Sequence, residues 1–96
     1  MRSVELAVYA DALAGEAASL SASAERARSR LRQAAIERRA CDELSAAARK
    51  RLESLGLIGA IDERASRAEL RELEAALDAL EELQSWVENQ LLEAGV

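Results

Sequence analysis

From Ser3 to Leu55 a small or apolar residue returns every seven positions: Leu6, Leu13, Leu20, Ala27, Ala34, Cys41, Ala48, Leu55. A companion stripe four residues on reads Ala10, Ala17, Ala24, Leu31, Arg38, Ser45, Leu52. A seven-residue repeat held this long predicts a helix that supercoils against a neighbour rather than a lone amphipathic helix. The middle of this seam is small, which lets another helix approach closely at the cost of apolar area. Ser3 is the expected N-cap. A second seam, Leu70, Leu73, Leu77, Leu80, Gln84, Val87, Leu91, alternates spacings of three and four. Ala76, Leu83 and Trp86 widen its apolar face, as in a helix that touches more than one neighbour. Gln84 sits in the seam as a polar layer able to set register.

Between the seams stands "LGLIG", residues 55–59, with two of the chain's four glycines and no proline anywhere. Gly56 follows the last member of the first stripe and an apolar Leu57 follows it, the pattern of a Schellman cap that needs a left-handed residue. The prediction is an all-α antiparallel hairpin forming one domain, 1–96: a long helix over about 3–55, a turn at Gly56–Gly59 and a second helix over about 60–94. The second helix starts either near Ala60 or at "SRAE", where Ser66 and Glu69 have capping-box spacing.

Folding about residue 58 lays the second helix against roughly 22–54. Charge agrees with that pairing. Residues 26–51 carry nine bases against three acids, and residues 62–93 carry ten acids against three bases. The same register leaves about twenty N-terminal residues, ~30 Å of helix, without a partner although they include Val4, Leu6, Val8, Tyr9, Leu13 and Leu20. Exposing such side chains forgoes ~1.5–3 kcal/mol for each large one. Two arrangements would cover them. A second copy could pack on a continuous helix, making a homodimeric four-helix bundle, or the chain could bend at Gly15 and fold residues 3–14 back as a third helix. In the dimer, the expected interface is Leu6, Tyr9, Leu13, Leu20, Leu83, Trp86 and Val87.

Composition narrows the chemistry. Ala, Leu, Arg and Glu dominate, all good helix formers. Histidine is absent, which removes the commonest general base and neutral metal ligand. The single Cys41 has no disulfide partner within the chain and reads as a small seam residue in a reducing, cytoplasmic setting. Di-iron bundles use Glu-x-x-His motifs that cannot exist here, so the many carboxylates read as a solvated face. No phosphate loop can be built from glycines at 15, 56, 59 and 95. The expectation is no enzyme, no cofactor and no metal.

Glu5 and Asp11 interrupt the N-terminal apolar stretch, so it reads as helix rather than as a secretory signal, and no run is long enough to span a membrane. The sharpest charge run is "ERARSRLRQ", 25–33. Arg26, Arg28, Arg30 and Arg32, extended by Arg38 and Arg39, form a patch suited to phosphate or to acidic partners. A net charge of −5 disfavours nucleic acid for the molecule as a whole. Pairing with the acidic arm is therefore the preferred reading, and Arg38, on the seam itself, should find an acid or an aromatic. A hairpin of this length is similar in outline to bacterial secretion-system substrates and export chaperones. The Trp-x-Gly turn of one such group is missing, since the turn reads Leu55, Gly56, Leu57, Ile58, Gly59, and the likeness is one of shape alone. The function expected is protein contact. The alternatives are a helical chaperone or adaptor that lends its N-terminal arm to a client, and a nucleic-acid-associated regulator using the Arg patch.

Overall fold

A computed structural model describes residues 3–95. The chain is an all-α hairpin of three helices: α1, Ser3–Glu43; α2, Ala46–Ser54; and α3, Glu63–Ala94. Its contacts gather into two compact units. Unit 1 holds the described residues up to Ala24 and from Glu72 onward, and unit 2 is Glu25–Arg71.

One expectation about the first helix is corrected and one is borne out. It does not run unbroken to residue 55. α1 ends at Glu43, and Ser45, in extended backbone at φ −65° and ψ 155°, opens α2 by accepting the Ala48 amide on its Oγ at 3.1 Å. Serine competes for the backbone in this way because its hydroxyl replaces a helical carbonyl as acceptor. The helix does continue through Gly15, as the unbroken heptad there favours over a bend. A glycine there costs propensity but leaves the hydrogen-bond ladder intact.

α2 closes as the glycine pattern predicts. Leu57 donates to the Leu52 carbonyl and Gly56 to the Glu53 carbonyl, each at 3.0 Å. Gly56 takes φ 72° and Gly59 φ 76°, the region where a Cβ is disfavoured. α3 begins at neither expected position. Asp62 caps it, accepting the Ala65 amide at 3.0 Å, while Ser66 is buried inside the helix.

The largest correction concerns register. The connection between the long helices is the whole stretch 44–62, not the glycine turn alone, so α3 meets earlier residues than a fold about residue 58 would give. In unit 1, Leu6, Leu13 and Val87, at 2%, 7% and 1% exposure, form one buried cluster, with Ala10, Leu80, Leu83 and Leu91 packed against it. The N-terminal arm therefore has its partner within the chain, and the argument that only a second copy or a folded-back third helix could shield it falls. Leu20 is half-buried.

Unit 2 has a smaller core. Ala27 and Ala34 are buried on α1, and Ser66 is buried on α3. Small residues permit close backbone approach but remove little apolar area from water. Polar contacts supplement them: the Arg30 Nε donates to Ser66 Oγ at 3.4 Å, Arg30 also pairs with Glu69, and Arg38 pairs with Glu63. Since the later residue of α1 meets the earlier residue of α3, the two segments of unit 2 run antiparallel.

Candidate functional site

The structure separates the seven expected interface residues. Leu6, Leu13 and Val87 are the buried core of unit 1, and Leu83 packs on it. Tyr9 and Trp86 stay at the surface, 43% and 49% exposed. Val4 and Val8 on α1 and Leu92 on α3 are more exposed still.

Helical geometry places the two aromatics together. At 3.6 residues per turn, Tyr9 lies about 60° to one side of Leu6 and Ala14 about 80° to the other. Trp86 lies about 100° to one side of Val87 and Gln84 about 60° to the other. Ala14 and Gln84 line the same shallow cavity of ≈ 160 Å³, so they mark one flank of the helix pair. Tyr9 and Trp86 share the opposite flank. The same rotation puts Glu5, Glu16, Glu82 and Glu93, all exposed, along that aromatic side.

The described residues of unit 1 carry only acidic charge. Its described residues hold Glu5, Asp11 and Glu16 on α1 and seven further acids on α3, with no Lys or Arg. None of these carboxylates takes part in an ion pair or side-chain hydrogen bond among the described residues. Simple composition could have exposed this separation of charge, but the arms had to be divided at residues 24 and 72 rather than by whole helices.

Unit 2 holds the expected Arg patch, and its guanidinium groups point largely at its own acids. Arg32 donates to Glu25 at 2.6 Å, and Arg28 stands 3.8 Å from the same carboxylate. The Arg32 hydrogen bond and charge, helped by Arg28, hold the Glu25 carboxyl below its ordinary range. Arg30 is taken by Ser66 and Glu69, Arg38 by Glu63, and Arg26 is engaged as well. Arg39 makes no ion pair among the described residues. Phosphate would have to displace several carboxylates to use this patch.

A second cluster of cations lies where the sequence reading did not single it out. Arg49, Lys50 and Arg51 follow one another on α2, are exposed, and make no ion pair among the described residues. No residue of α2 is buried. Leu55 and Leu57, 64% and 62% exposed, project just beyond it. An open groove of ≈ 600 Å³ elsewhere in unit 2 is lined by Ile58, Ile61, Arg38, Glu63 and the free thiol of Cys41. Cys41 is half-buried, and its groove mixes both charge signs with apolar wall.

Among the described residues no three Cys, Asp or Glu side chains converge as a metal site, and no helix is long and apolar enough to cross a membrane. No protein-family model, curated protein or solved structure matches the chain.

Proposed function

We propose that the chain is a non-enzymatic, cytoplasmic protein-interaction module that works as a homodimer and makes its contact through unit 1. What supports this reading is the set of apolar side chains that the packing of α1 on α3 leaves exposed there: Val4, Val8, Tyr9, Trp86 and Leu92, between 43% and 73% exposed. Aromatic side chains with polar tips are favoured in interfaces because they combine large area with few rotatable bonds. The N-terminal arm keeps its proposed role in association, now through its outer faces rather than through Leu6 and Leu13.

The test is mass and environment measured together. Light scattering should give twice the chain's 10.4 kDa. Trp86 is the only tryptophan, so its emission should shift to the blue as concentration drives association. A constant single-chain mass and an unmoved emission at millimolar concentration would remove the homodimer. The surface would then serve a foreign client, as an adaptor would use it. The nucleic-acid reading has less support, because the Arg26–Arg39 run spends its charge on Glu25, Glu63 and Glu69.

A further inference from the structure

We infer that the aromatic flank of unit 1 receives the cationic corner of α2 from a second copy of this chain. The inference rests on the homodimer reading and names its contact: Tyr9 and Trp86 on one side, Arg49, Lys50 and Arg51 with Leu55 and Leu57 on the other.

The argument is one of complementarity between two unsatisfied surfaces. Unit 1 has ten carboxylates and no base among its described residues, so its own side chains supply no counter-charge. Unit 2 carries twelve bases against eight acids, and Arg28, Arg30, Arg32, Arg38 and Arg67 are already paired within it. The exception with the greatest density is the corner of α2, three consecutive cations beside two exposed leucines. Charge opposite charge steers the encounter and selects the pairing. Exposed indole and phenol rings accept ammonium and guanidinium groups on their faces, and the leucines have apolar ring surface to cover. The Schellman cap fixes the direction in which Leu55 and Leu57 leave α2, so the corner arrives preformed.

A second copy is the occupant for a specific reason. Each copy carries one acidic aromatic face and one cationic apolar corner, so two copies offer each other two identical contacts. Reciprocal use of both makes a closed symmetric dimer, and use of only one per pair extends into a chain of copies. Either product contains the proposed contact.

A charge swap tests it on the full-length chain. Variant A carries Arg49→Glu, Lys50→Glu and Arg51→Glu; variant B carries Glu16→Lys, Glu82→Lys and Glu93→Lys. All six positions are exposed, and helical circular dichroism checks that each variant folds. Wild type should associate and weaken with salt, while A alone and B alone should each dissociate at least about tenfold more readily. Mixing A with B should restore assembly, because each face then meets a corner of opposite sign. Retained association of A or of B, or failure of the folded mixture to assemble while wild type does, would overturn the contact and leave the homodimer standing. A wild type that stays monomeric would overturn both. If that monomer binds a Lys/Leu amphipathic peptide through Trp86, the flank belongs to a foreign basic partner instead.

Discussion

Arg38 on α1 and Glu63 in the first turn of α3 form an ion pair, and Arg67 approaches the same carboxylate oxygen at 3.9 Å. That oxygen is shut off from solvent. Its charge is met by two guanidinium groups and by the positive end of the α3 dipole. Removing Arg38 leaves the shielded charge with less compensation, whereas Arg38 itself, more than half exposed, loses little when Glu63 is neutralised. We expect Arg38→Ala to cost about 1 kcal/mol and Glu63→Gln only about 0.5 kcal/mol, with a coupling of ~0.2–0.5 kcal/mol in a double-mutant cycle. Strict additivity in urea unfolding would show that the pair does not help hold α3 in register.

The burial of Leu6 predicts a contrast within the apolar residues. Leu6→Ala opens a cavity in the three-residue core of unit 1 and should cost ~2–4 kcal/mol. Leu55→Ala removes a side chain that is 64% exposed and should stay within about 0.5 kcal/mol. Thermal unfolding at low concentration, where association does not contribute, checks this. Equal effects would mean that α3 does not cover the N-terminal arm.

How far the sequence could be read follows from the same residues. The heptad stripe named the inward face of α1 correctly: Leu6, Leu13, Ala27 and Ala34 are all buried, and Ala24 joins them from the companion stripe. The Gly56 cap was legible because only glycine suits its φ of 72°. The Ser45 break was not, since serine on a seam of Ala and Cys reads as one more small residue. Register was lost with it. Small side chains discriminate weakly between alignments, and net charge summed over whole arms tolerates a shift of several turns. Tyr9 and Trp86 stood out as interface candidates, but the flank they share depends on the register. The α2 cations were overlooked because "ERARSRLRQ" is the longer run.

Two glycines should respond in opposite directions. At Gly56 a side chain must adopt φ 72°, so Gly56→Ala should destabilise by about 1 kcal/mol although nothing lies within 4 Å of the new methyl. Gly15 is helical and its Cβ position is equally open. Gly15→Ala should therefore stabilise by ~0.5–1 kcal/mol through helix propensity and a less flexible unfolded chain. A loss of stability at position 15 would contradict a continuous α1.

The cap at Ser45 separates α1 from α2, and its hydroxyl is the acceptor that the Ala48 amide requires. Ser45→Ala should cost ~1 kcal/mol, and Ser45→Asp should restore it, because a carboxylate accepts the same bond and favours the helix N-terminus. Urea unfolding of the pair measures this. If alanine were harmless, the heptad seam would be the stronger influence and α1 would run on into α2.

Glu25 gives the chain a pH dependence whose sign is set by Arg32. The hydrogen bond from Arg32 and then its charge lower the carboxyl below its ordinary range, against an opposing desolvation and with a smaller contribution from the charge of Arg28. A folded-state value below the unfolded one means that the contribution is complete above the unfolded value. It fades as the pH falls through the folded value. NMR titration of the Glu25 carboxyl should find a depressed midpoint, and Arg32→Ala should raise it towards that of free glutamate. Wild type should be more stable than Glu25→Gln at neutral pH, and the difference should vanish in acid. A midpoint unmoved by Arg32→Ala would show that the pair does not persist in solution, where both partners are 60% exposed.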